Sequence, residues 1–263
     1  MRWDSVRHVG KGLFNALAEL GAVRMAPPRD SRAAAHRLAG ALGAVARAHD
    51  LVSTVIGDVP RGCALVVANH VSYLDPLAIL PACPAIPVAK GEVAGWPIVG
   101  ALGSAVGVVY VTRDDPMARV ATLRRIEALL AEGTPVLNFA EGTTTHGRTV
   151  APFWRGAFGV AARLGVPVVP LALHYRDPAM AWTGGATFFP HYFDTVAKPR
   201  IDVTLRFGTA IPTRTGEAPE ALAARARNAV AALLERTRLD AGLRPRLPPA
   251  RPLTVLPPAA RAG

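Results

Sequence analysis

Between residues 63 and 208 the chain alternates short apolar runs with stretches that read as helices, and this alternation restricts its possible folds more than any other feature. The runs are "CALVVA" (63–68), "GVVYVT" (107–112), "PVLNFA" (135–140), "VPVVPLAL" (166–173) and "IDVTLRFG" (201–208). Most are apolar from end to end, as strands covered on both faces are. Helix signals fall between them. Asp75-Pro76 and Asp115-Pro116 each put a capping carboxylate ahead of a proline suited to a first helical turn. Val120, Leu123 and Leu130 mark the helix after the second pair, and Gly133 ends it. Further helices are expected over 155–164 and 217–237. The predicted class is α/β, a single domain with a mixed, largely parallel sheet flanked by helices.

Outside this region the chain changes character. Val6, Val9, Leu13, Leu17 and Leu20 recur at three- and four-residue steps beside Arg2, Arg7 and Lys11, with Trp3 and Phe14 adding bulk. Residues 1–30 therefore read as an amphipathic N-terminal helix, either packed on the body or lying in a lipid interface. A second helix is expected from Ser31 to Ala48 and opens a folded unit over 31–238. Residues 239–263, rich in Pro, Arg and Ala, read as a disordered tail. The uncharged stretch from Val93 to Thr112 is long enough to cross a bilayer, but Pro97 and four glycines interrupt it. A loop, a short helix and then a strand are expected there. The N-terminus has no continuous apolar segment of the secretory kind, which favours a cytoplasmic protein. Cys63 and Cys83 both sit in apolar stretches and read as buried, inert thiols.

The net charge of +11 asks for an anionic partner: nucleic acid, lipid headgroups, or an acidic substrate or carrier. No zinc-ligand spacing, stacking-aromatic pattern or basic-region helix supports nucleic acid. Basic and apolar together point to an anionic membrane surface.

In parallel sheets, ligands gather where strands end. Asn69, His70, Ser72 and Asp75 follow the first run, Arg113 the second, Glu141, Gly142 and Thr143–Thr145 the third, and His174 the fourth. His70 and Asp75 have two readings. Asp75 with Ser72 makes a capping box at a helix start; or a turn folds His70 back onto Asp75, which fixes the imidazole tautomer for a general base. Arg113 pairs with Asp114 or Asp115, or meets a ligand. Glu141 is a solvated loop charge or a site residue, and Gly142 a turn or part of the site.

The blocks "NHVSYLD", "GVVYVTR", "FAEGTTT" and "VPVVPLAL" resemble, in order, the four motifs of the glycerolipid acyltransferases, the lysophosphatidate acyltransferase (PlsC-type) family. The resemblance spans roughly residues 35–237 and implies a glycerol-3-phosphate acyltransferase-like fold. It implies transfer of a fatty acyl group from acyl-CoA or acyl carrier protein to a lysolipid hydroxyl, without metal or cofactor. His70 is then the general base and Asp75 its orienter. Arg113, Glu141 and Gly142 would bind the acceptor, and Lys90 resembles a lysine the family carries between its first two blocks. Asn69, Ser72, Thr143 and Thr144 complete the expected substrate-binding set. Membrane lipid synthesis follows from the same resemblance, and the helical N-terminal element with the basic, apolar-rimmed surface makes a peripheral, monotopic protein on the cytoplasmic face the expectation.

Two positions depart from the family. Ala140 stands where proline is usual, and Thr144 replaces the arginine of the third block. Loss of that guanidinium removes a bidentate phosphate contact and weakens the case for a phosphomonoester acceptor. The string "EGTTTHGRTVAPFWRGAFGVA", with "AWTGG" and "PHYF", resembles the lyso-ornithine-lipid acyltransferase branch. Three other classes compete: a non-catalytic membrane-surface lipid-binding protein, a Ser72 hydrolase, which lacks the G-x-S-x-G elbow, and, last, a basic nucleic-acid binder.

Overall fold

The computed structural model describes residues 3–112, 115–184 and 186–243, without the side chains of residues 3–9 and 243. Its core is a seven-stranded sheet: β1 (Leu51–Ile56), β2 (Leu65–Ala68), β3 (Ile86–Lys90), β4 (Val109–Val111), β5 (Val136–Asn138), β6 (Val168–Tyr175) and β7 (Ile201–Phe207), in spatial order β1-β7-β6-β2-β5-β3-β4. Strands β6, β2, β5, β3 and β4 run parallel to one another. Strand β7 turns antiparallel to β6 and carries β1 parallel beside it. The sheet is thus mixed and largely parallel, as the alternation predicted. All four residues of β2 are buried, because it lies in the middle with helices on both faces.

Helix α1 (Trp3–Met25) packs on α2 (Ser31–Ala48). The described face of α1 buries Leu20 and Val23 but leaves Leu13 and Phe14 at 47% and 71% exposure. Gly12 passes so close to His49 that any side chain there would meet the imidazole. Helix α3 (Asp75–Ile79) follows the first motif, and α4 (Val99–Ala105) lies between β3 and β4. Helices α5 (Pro116–Ala131) and α6 (Gly156–Leu164) pack together, and α8 (Pro219–Leu243) covers β6 and β7. Asp115 caps α5 as expected, accepting from the Met117 and Ala118 amides at 2.8 and 3.2 Å.

The short helix and strand expected over 93–112 are present, and other local expectations change. The uncharged 93–112 stretch divides into α4 and β4, and among the described residues no helix is long and apolar enough to cross a membrane. Helix α8 continues to Leu243, through the start of the stretch read as tail; residues 244–263 lie outside the described residues. Strands β1 and β3 were not predicted. In β1, Ser53 and Thr54 interrupt the apolar signal because the strand is a partly exposed sheet edge. Pro87 disguises β3: it pairs only with β5 there, and the β4 ladder begins one residue later, so the missing N–H costs no bond on that side. Both cysteines are free thiols, and burial raises Cys63 and pushes Cys83 up to about 11.

Candidate active site

Because β2, β3, β4, β5 and β6 are parallel, their C-terminal ends share one edge of the sheet. The chain leaves β2 at Asn69-His70, turns, and enters α3 at Asp75. That turn brings His70 Nδ1 to 2.7 Å from Asp75 Oδ2. The carboxylate is fully buried while the imidazole keeps 21% of its side-chain surface in solvent. With Nδ1–H donated to Asp75, Nε2 is the free basic nitrogen, and it has no hydrogen-bond partner among the described residues. The ring stacks on Phe139 at 4.1 Å between centroids.

Asp75 does not cap its own helix. Its Oδ2 accepts from the Val71 and Ser72 amides at 2.7 and 3.1 Å, and its Oδ1 from the Tyr175 hydroxyl at 3.0 Å. The capping-box alternative is therefore half formed: Asp75 reaches back to the Ser72 amide, but Ser72 Oγ, buried, has no hydrogen-bond partner among the described residues.

The third motif grips the peptide that carries the base. Glu141 Oε1 accepts from the His70 amide and Oε2 from the Ala151 amide, both at 2.8 Å. The His70 carbonyl accepts from the Thr145 amide at 2.8 Å and from its hydroxyl at 3.2 Å. Gly142, at φ +76°, supplies the left-handed turn that lets this loop double back. Burial raises the Glu141 carboxyl above its ordinary range; the two amides and His70 oppose the rise, and Asp75 adds to it.

Asn69, Ser72 and Glu141 were expected to meet substrate. Instead the Asn69 amide exchanges two hydrogen bonds with the Leu173 backbone, at 2.9 and 2.8 Å, and all three side chains are buried. The polar atoms of Asn69 and Glu141 are bonded to backbone, while Ser72 Oγ is buried without a hydrogen-bond partner among the described residues. Thr144 likewise turns inward, its hydroxyl donating to the Trp182 carbonyl. Thr143 is exposed. Lys90 ends β3 on the same edge but pairs with Glu92 at 2.7 Å, and β5 separates its strand from β2. Arg113 lies outside the described residues. His174 is half buried, and its pKa is lowered by burial and by the nearby Arg238 charge.

An aromatic cluster gathers around Tyr73, in the turn between β2 and α3. Tyr73 meets Trp182 and Phe188 edge-on at 5.5 and 5.0 Å, Trp96 meets Phe188 at 4.7 Å, and Tyr192 stacks on Phe188 at 5.6 Å. Phe188 and Tyr192 belong to α7 (Phe188–Val196), which closes a strap between β6 and β7. The Trp182 amide donates to the Val71 carbonyl at 2.9 Å, and Asp177 pairs with Lys198 at 2.6 Å across the strap's ends.

Thr145 was among the strand-end candidates, but its bond to the His70 carbonyl was not foreseen, and Phe139 and Tyr175 were missed as site residues. Tyr175 had a usable signal: it lies in phase with Leu171 and Leu173 on β6 and so faces the same side of the sheet.

Comparison with known proteins gives concordant results. The acyltransferase family model matches residues 52–174. Lyso-ornithine lipid O-acyltransferase of Brucella abortus is 31% identical over 211 residues, covering 73% of this chain and 79% of that protein. 1-Acyl-sn-glycerol-3-phosphate acyltransferase of Neisseria gonorrhoeae is 35% identical over 135 residues, 51% of each chain. The crystal structure of the 1-acyl-sn-glycerophosphate acyltransferase PlsC from Thermotoga maritima shares the fold, with a TM-score of 0.57 at 20% identity over 88% of this chain and 98% of that one.

Proposed function

The chain belongs to the acyltransferase family, and from that premise we propose that it moves a fatty acyl group from acyl-CoA or acyl carrier protein to the hydroxyl of a lysolipid in membrane lipid synthesis. The observation that carries this is the His70–Asp75 contact, with the second imidazole nitrogen left free. Nε2 takes the proton of the acceptor hydroxyl as its oxygen attacks the thioester carbonyl. The tetrahedral intermediate collapses, the thiolate leaves, and the imidazolium returns the proton to it. Asp75 keeps the ring in the productive tautomer and stabilises its charged form. The activated acyl group arrives on its donor, so the residues need supply no metal or cofactor.

Arg113, Lys90, Gly142 and Thr143 stay with the acceptor in this scheme. The aromatic cluster of Tyr73, Trp96, Trp182 and Phe188, held to the turn after His70 by the Trp182 amide on the Val71 carbonyl, offers apolar surface for an acyl chain. A peripheral position on the cytoplasmic membrane face is supported by the net charge of +11 and by the apolar side chains of Leu13, Phe14, Leu17, Phe189 and Phe193 left exposed.

Among lysolipids, a headgroup without a phosphomonoester fits Thr144 better. Its hydroxyl is spent on Trp182, and the side chain carries no charge. Lyso-ornithine lipid is such an acceptor. The test offers both donor types to the purified protein in liposomes, with lyso-ornithine lipid, lysophosphatidate and other lysophospholipids. Expected is an acylated product, made fastest from lyso-ornithine lipid. Binding to the liposomes with no product from any pair would leave the non-catalytic lipid-binding class.

A further inference from the structure

Asp75 is buried, and its two oxygens are served by different parts of the chain. Oδ2 takes His70 Nδ1 and the local Val71 and Ser72 amides, whereas Oδ1 takes the hydroxyl of Tyr175, one hundred residues away on β6. The position of that hydroxyl is set by the strands. β2 and β6 pair in register as far as Ala68 and Leu171. One residue beyond, the Asn69 side chain replaces the backbone ladder: its amide donates to the Leu173 carbonyl and its carbonyl accepts from the Leu173 N–H. Two residues on from Leu173, on the same face, comes Tyr175. The intervening His174 points to the other face, where it feels Arg238 of α8.

We propose that Tyr175 is a positioning residue for the acyl transfer: it holds Oδ1 so that Oδ2 stays aligned with His70, and Asn69 fixes the height at which it does so. This rests on His70 being the base. A carboxylate with one buried oxygen unserved would turn toward another donor or take a proton, and either change removes the acceptor that orients the imidazole. Burial and the Asp75 charge push the Tyr175 phenol well above its ordinary range, so it remains a donor at every working pH. Besides His70 and Tyr175, the titratable groups around Asp75 are Glu141, which feels its charge, and Tyr73, which lies near the Tyr175 phenol. Both are raised by burial, and both stay in place when residue 175 is changed.

The test compares wild type with Tyr175→Phe, which keeps the ring and removes the hydroxyl. Expected is a fall in kcat on the order of tenfold, the scale of one hydrogen bond to a charged group, with both KM values unchanged. The acid limb of the kcat/KM profile should move to lower pH, because an Asp75 that turns away or takes a proton stabilises the imidazolium less. A second readout needs no turnover: the downfield proton resonance of His70 Nδ1–H should shift in the variant. If Tyr175→Phe does not fold, 3-fluorotyrosine placed at position 175 keeps the volume and strengthens the donor, and the acid limb and resonance should then move the opposite way. A folded variant with wild-type kcat, acid limb and imidazole resonance overturns the role of Tyr175. Loss of transfer from every substrate pair in wild type would instead strike the proposed function, and the resonance would still decide this point.

Discussion

Replacing Glu141 by Gln separates two roles that sequence alone leaves open. Its carboxylate accepts from the His70 and Ala151 amides, one on each oxygen, and only 4% of the residue is exposed. Glutamine keeps one acceptor and turns an NH2 toward the other amide. Losing a hydrogen bond to a charged acceptor costs about 1.5–3 kcal/mol, and a buried N–H without a partner about 1–3. Some of this is recovered, because the desolvation that raises the Glu141 carboxyl no longer applies to a neutral side chain. A net loss of roughly 3 kcal/mol remains, which for a domain of this size lowers Tm by roughly 6–12 °C. Thermal unfolding by circular dichroism gives the Tm; steady-state kinetics below it should show kcat reduced and the acceptor KM little changed, because the His70 peptide has lost its hold. An unchanged Tm with an acceptor KM raised tenfold or more would refute this reasoning and return Glu141 to direct acceptor contact.

Two further outcomes are expected. Thr144→Arg removes the bond to the Trp182 carbonyl and supplies a guanidinium, so the ratio of lysophosphatidate to lyso-ornithine lipid turnover should rise about tenfold, measured in competition, as a charge-assisted phosphate contact forms. For His174 the sign follows from its lowered pKa: burial and Arg238 keep it neutral in the fold, while the unfolded chain protonates it near its ordinary 6.5. Its contribution to stability is complete above that pH and is lost as pH falls through the lower folded value; Tm measured between pH 7.5 and 5 should therefore fall less steeply in His174→Gln than in wild type.

Much of the fold was legible because parallel strands covered on both faces must be apolar along their length, and "CALVVA" and "VPVVPLAL" have that form. Strand β3 was hidden by Pro87, and β1 by an edge position that tolerates Ser53 and Thr54. His70 and Asp75 were legible for a different reason: a five-residue spacing across a strand end, a turn and a helix start is local, and local geometry survives in a single sequence. The burial of Asn69 and Glu141 was not, since each is satisfied by backbone 104 and 71 residues away or by a loop whose path depends on the turn at Gly142. Thr144 was read as a lost phosphate contact, and its inward bond to Trp182 depends on a strap that no periodicity marks. The Tyr175 hydroxyl reaches Asp75 only after the register of β2 and β6 is set.

The most direct test of acyl transfer by His70 is the initial rate of His70→Ala beside wild type, with the best donor–acceptor pair and with Tm and liposome binding matched. Removing a general base held by a buried carboxylate should lower kcat on the order of a thousandfold and leave binding intact. A variant that folds, binds liposomes and still turns over within tenfold of wild type would contradict the assignment of His70 as the base.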